Sequence, residues 1–205
     1  MSFKWTAMLL VAICIIVFIL QLLIPQLTEN FALYSSQVLQ KPWQLLTSMF
    51  LHGSFEHLFY NMFALALFGS ILEKIIGYKK FLLVYFISGI IAGIGSVFFY
   101  EAALGASGAI FGILGCLTIL RPYMRVYVGY IPMPMFFAAI VWATVDLIGM
   151  FAPSGIANAA HLFGLGCGLI IGIMLKNKFG EYYEKTKHED KLPEHVMREW
   201  EDKYL

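Results

Sequence analysis

Eight polar residues lie inside long apolar stretches of this chain: His52, Glu56, His57, Asn61, Ser107, Asp146, Asn158 and His161. Ionisable side chains in such surroundings are expensive, so each is a functional candidate. Ser107 and His161 are the pair that could do chemistry. A hydroxyl becomes a useful nucleophile when a base takes its proton, and histidine is the usual base near neutral pH. Attack on a carbonyl then creates an oxyanion, which needs preorganised donors. His57 and Asn61 are four residues apart and fall within about 40° on one helix face. The Ser107 backbone N–H would be free at the start of a helix.

Other intramembrane chemistries fit the spacing poorly. A zinc protease wants His-Glu-x-x-His with both histidines on one face. Here His52 and His57 are five apart, about 140° around a helix, and Glu56 directly precedes the second. An aspartyl mechanism needs two matched carboxylates, and Asp146 is the one Asp in any apolar span. Asp146 could orient His161 as a third triad member, but a structural hydrogen bond in its own helix is the expectation. Cys14, Cys116 and Cys167 all sit in apolar runs and read as small buried hydrophobes. No metal or other cofactor is expected.

The elements that must hold these groups follow from composition. Of 205 residues, 60% are hydrophobic and 13% charged, with a mean hydropathy of +0.77. A soluble domain carries about 25% charged residues, so a soluble enzyme is excluded and part of the solvent must be lipid. The net charge of +1 gives no footprint for nucleic acid. About half of the charges fall in the last thirty positions.

A helical span needs about 20 apolar residues. Six apolar runs qualify as helices: Trp5–Ile24, Leu45–Leu72, Phe81–Tyr100, Ser107 to Arg121, Met133–Phe151 and Ile156–Leu175. The fold class is therefore an all-α polytopic bundle. Residues 1–4 form a short N-terminus, 5–175 the six-helix core, and 176–205 a charged tail, helical from Pro193 and serving as a solvated or interfacial anchor. With the N-terminus inside, 13 of the 14 basic residues fall on the inner side and only Lys41 outside. The positive-inside rule then places both termini in the cytoplasm.

Rise per residue sets depth. Counting back from Arg121 puts Ser107 roughly 21 Å above the inner face, and counting back from Lys176 puts His161 roughly 22 Å above it. From Glu73, His57 and Asn61 stand at roughly 24 and 18 Å. Four polar groups from three helices thus share one level, some 10 Å below the outer surface of a core about 30 Å thick. The segment Glu101–Ala106 must dip into the membrane to reach Ser107, which requires a protein-lined setting for its backbone. Gly108, Gly112 and Gly115 on the fourth helix face Gly164, Gly168 and Gly172 on the sixth in a spacing that permits backbone-to-backbone packing.

At these residues the sequence resembles the rhomboid family of intramembrane serine proteases, from about Trp43 to Lys176. Gly105-Ala106-Ser107-Gly108 is similar to its Gly-x-Ser-Gly motif, His57 to Asn61 to its His-x-x-x-Asn motif, and Asn158-Ala159-Ala160-His161 to its histidine segment. His52 also fits the pattern. The resemblance implies a Ser107–His161 dyad, with His57, Asn61 and the Ser107 backbone as oxyanion hole. It further implies that Phe111 packs on the imidazole and that Gly105, His52 and Asn158 support the site. The implied substrate is a membrane protein whose transmembrane helix is cleaved near its outer end at a small residue, with helix 5 and the segment following it gating lateral entry. The implied setting is the plasma membrane, as in compact six-helix bacterial members. One departure is Trp43-Gln44, where many members have Trp-Arg. The alternative is a non-catalytic relative that escorts client helices, although such relatives usually lack the Ser or the His. A transporter would show repeated halves with broken helices, which are not visible here.

Overall fold

The computed structural model describes residues 4–24, 26–151 and 155–189, with the helical backbone alone beyond Phe179. In chain order the elements are α1 (Thr6–Leu23), α2 (Gln26–Phe31), β1 (Leu33–Tyr34), α3 (Gln44–Thr47), a 3-10 turn (Ser48–Phe50), α4 (Phe55–Ala64), a π-helical turn (Leu65–Gly69), α5 (Ser70–Ile76), α6 (Tyr78–Ser96), β2 (Ala102–Ala103), α7 (Ser107–Leu120), β3 (Arg125–Val128), β4 (Ile131–Pro134), α8 (Met135–Gly149) and α9 (Asn158–Glu189). Among the described residues, four helical stretches are long and apolar enough to cross a membrane: Thr6–Leu23, Phe55–Ile76, Tyr78–Ser96 and Asn158–Phe179. α7 and α8 are apolar but shorter, at 14 and 15 residues.

Two boundaries differ from the sequence expectation. The apolar run from Leu45 to Leu72 is not one helix. It splits at residues 51–54, where Leu51 turns extended and Ser54 caps α4 by accepting from the His57 N–H at 3.1 Å. The sixth helix does not stop at Leu175 but runs on to Glu189. Its polar continuation holds no proline and many good helix formers, so only the solvent changes, not the backbone. The expected helix from Pro193 lies outside the described residues.

The core is the seam between α7 and α9, backed by α6. A Cβ on Gly164 would collide with the Gly108 carbonyl, and one on Gly168 with the Gly112 carbonyl. Only hydrogen fits there, so the two backbones touch. Behind the seam, Phe81, Val84, Tyr85, Ile113 and Leu117 have no measurable exposure. Large apolar side chains on the outer faces, such as Leu23, Phe98 and Met174, are more than 70% exposed. That surface suits lipid and would be a liability in water.

Two polar staples hold the periphery. The fully buried Glu73 on α5 accepts from the Lys4 N–H at 3.0 Å and the Ala7 N–H at 2.9 Å. It thereby satisfies amides that have no intrahelical partner at the start of α1. Gln44, also fully buried, accepts from the Tyr34 N–H at 3.2 Å and donates to the Asn30 carbonyl at 3.3 Å. In this chain the residue after Trp43 therefore ties the segment between α1 and α4 together through an uncharged amide.

The segment before Ser107 solves its backbone problem by pairing. Ala102 and Ala103 form an antiparallel ladder with Tyr34 and Leu33, and the Gly105 N–H donates to the Ser48 carbonyl at 2.9 Å. The non-helical stretch thus finds its backbone partners at residues 33–35 and 48.

Candidate active site

Ser107 opens α7 and His161 lies in the first turns of α9. The glycine seam brings the two helices close enough for His161 Nε2 to stand 2.9 Å from Ser107 Oγ. This is hydrogen-bond distance for a nucleophile and its base. Phe111, one turn beyond Ser107, stacks on the imidazole at 4.3 Å between ring centroids and 6° between planes. The stack fixes the tilt of the ring.

The second nitrogen is also engaged. His161 Nδ1 lies 2.9 Å from Asp146 Oδ1 on α8. This corrects the expectation that Asp146 makes a hydrogen bond within its own helix. A signal was available in the sequence. Counting outward from Met135, the start of α8, Asp146 is 11 residues along its helix, roughly 17 Å, within about one turn of the level of Ser107 and His161. Asp146 is 5% exposed and its Oδ2 meets no donor among the described residues.

His57 and Asn61 share the inner face of α4. His57 Nδ1 accepts a long bond from the Gly53 N–H at 3.5 Å, which favours a proton on Nε2. A Cβ on Gly105 would lie 2.8 Å from that Nε2, so the ring is set directly against the loop that delivers Ser107. Gly105 has φ +124°, a conformation suited to glycine. A side chain there would meet both backbone strain and the His57 ring. Asn61 is buried and donates through Nδ2 to the His57 carbonyl at 2.9 Å, leaving its second amide hydrogen for another acceptor.

The remaining candidates play outer roles. His52 is 1% exposed and sets its ring edge-on to His57 at 5.1 Å. Its backbone is clamped by Gln21, which accepts from the His52 N–H at 3.0 Å and donates to the His52 carbonyl at 3.3 Å. Gln21, on α1, was not singled out from sequence. A lone amide near a helix end carries little signal without knowing what it faces. Asn158 is buried at the start of α9 with its side chain against Gly149 of α8. The Tyr100 hydroxyl accepts from the neighbouring Ala159 N–H at 3.0 Å. Glu56 sits in the first turn of α4, where a negative charge suits the helix dipole.

A cavity of about 30 Å³ opens beside Ser107, lined by Met49, Gly89, Ala92, Gly105, Gly108 and Ala160 among others. It has room for a water molecule or a very small side chain.

The family model for the Rhomboid domain matches residues 39–178. The relative YdcA of Bacillus subtilis (strain 168), a rhomboid protein, is 34% identical over 139 residues, covering 66% of this chain and 68% of YdcA. Rhomboid protease GluP of the same organism is 37% identical over 150 residues, covering 68% of this chain but 28% of GluP. Rhomboid protein 1, mitochondrial, of Saccharomyces cerevisiae is 29% identical over 157 residues, covering 70% of this chain and 45% of the relative. The chain thus spans less than half the length of the last two. A family match over most of the chain, a relative aligned along two thirds of its own length, and four helices of spanning length make this a multi-pass membrane protein that belongs to the rhomboid family.

Proposed function

We propose that this protein is an intramembrane serine endopeptidase that works through Ser107 and His161. The observation that carries the reading is the 2.9 Å approach of His161 Nε2 to Ser107 Oγ, with the ring stacked on Phe111. His161 takes the hydroxyl proton as Ser107 Oγ attacks the scissile carbonyl. The oxyanion is received by the Ser107 N–H, a helix-start amide without an intrahelical acceptor, and by the His57 Nε2–H and the Asn61 amide. His161 then returns the proton to the departing amine, and water hydrolyses the acyl-enzyme by the same route in reverse.

The substrate in this reading is a membrane protein whose transmembrane helix is cut near its outer end. Six spans with both termini in the cytoplasm place 13 of 14 basic residues inside, and the site then lies some 10 Å below the outer surface. The cavity lined by alanine and glycine beside Ser107 favours a small residue at the cleaved bond. The compartment is the bacterial plasma membrane. Cleavage of a tagged transmembrane substrate in proteoliposomes tests the proposal. Wild type should cut it, and Ser107→Ala and His161→Ala should each lose about 10⁴-fold or more. Cleavage by both variants at the wild-type rate would end the proposal.

A further inference from the structure

We infer that Asp146 is a positioning residue for the base, holding His161 in the tautomer and in-plane orientation that present Nε2 to Ser107. The inference rests on the Ser107–His161 reading above. The two ring nitrogens of His161 are each 2.9 Å from an oxygen, Asp146 Oδ1 at Nδ1 and Ser107 Oγ at Nε2. An ionised carboxylate only accepts, so it draws the ring proton to Nδ1 and leaves Nε2 with the lone pair that must accept from the serine hydroxyl. Phe111 alone does not achieve this. A parallel stack at 6° fixes the tilt of the imidazole yet leaves it free to turn within its own plane. The bond at Nδ1 removes that freedom and selects which nitrogen faces Ser107.

The local architecture keeps the carboxylate in place. Asp146 and Gly149 are three residues apart on α8, and Asn158 and His161 three apart on α9, so each pair lies on one face of its helix. Gly149 closes on the Asn158 side chain, where a Cβ would come within 2.7 Å, and this close approach sets the spacing for the Asp146–His161 contact one turn away. During attack, His161 gains the Ser107 proton and becomes a cation with Asp146 beside it. No proton passes to the carboxylate. The chemistry at Ser107 is unchanged, and the effect of Asp146 is on the base.

Asp146→Asn keeps size and hydrogen-bonding capacity but removes the charge that selects the tautomer. In proteoliposomes we expect kcat to fall on the order of 10²- to 10⁴-fold, with KM within about threefold and the thermal midpoint close to wild type. Asp146→Glu should recover part of the loss. A purely structural tether would lower the thermal midpoint and leave kcat intact. Folded Asp146→Asn with kcat within about threefold of wild type overturns the inference. If the variant does not fold, ¹⁵N NMR of histidine-labelled wild type decides, with the His161 signals assigned by their loss in His161→Gln. A protonated Nδ1 and bare Nε2 are expected, and the opposite tautomer overturns the inference. Ser107→Ala runs alongside. Continued cleavage by that variant would defeat the Ser–His reading itself, whatever Asp146 does.

Discussion

His161 is held from two sides that are built in different ways. On one side, α9 meets α7 along Gly108, Gly112, Gly164 and Gly168, with backbone against backbone and no side chain to adjust. On the other, α9 meets α8 through side chains: Asp146 on His161, and Gly149 against Asn158. Much of α8 is bare, with Ile140, Val145, Leu147 and Ile148 all more than half exposed. The nucleophile-to-base distance is therefore set by a rigid seam, whereas the base's orientation depends on a lightly anchored helix. Backbone contact resists change because nothing in it can rotate away, while side-chain contact tolerates small displacement.

The largest effect should come from the seam. Gly168→Leu would drive a side chain into the Gly112 carbonyl, and we expect loss of more than about 4 kcal/mol of stability together with all activity. Thermal unfolding in detergent and proteoliposome cleavage would measure both. On the other side, Gly149→Leu presses on a side chain that can shift. A cost of about 1–3 kcal/mol is expected, with kcat reduced more than stability alone explains because Asp146 is one turn away. If Gly149→Leu unfolded the protein and Gly168→Leu did not, the contrast between the two sides would be reversed.

Phe111→Leu sharpens the comparison from within the site. Loss of the stack should cost about 0.5–1.5 kcal/mol and lower kcat several-fold while KM stays near wild type, as single-turnover kinetics can separate. The smallest effect belongs to the outer face of α8. Val145 is 62% exposed, and Val145→Ala should stay within about 0.5 kcal/mol of wild type in a thermal scan.

The two sides also differed in how plainly the sequence spoke. The seam was readable because glycines recurring every three or four residues on two helices have a spacing that permits close packing. Ser107, His57, Asn61 and His161 were readable because polar groups inside apolar helices are rare enough to be counted and ranked by depth. Asp146 was visible by the same test, but depth alone did not decide between His161 and a partner in its own helix. Depth places a residue along its helix but does not give the rotation of that helix about its axis, and that rotation decides whether the carboxylate faces His161 or lipid. Gln21, and the part that Gln44 plays, escaped for a related reason. Their partners are backbone groups of the segment between α1 and α4, and no residue pattern announces where an irregular backbone will turn. The break at residues 51–54 did carry a signal, Gly53 followed by the N-cap residue Ser54, which an average of hydropathy over the run passes over.

Everything proposed for this site depends on Ser107 being a nucleophile activated by His161 inside the membrane. The most direct measurement is covalent labelling with a fluorophosphonate probe in detergent micelles, with the modified peptide identified by mass spectrometry. One adduct is expected, on Ser107, that forms in the wild type and fails to form in His161→Ala although that variant remains folded. Labelling of Ser107 at the same rate with and without the imidazole would contradict it, as would a folded wild type whose Ser107 takes no label.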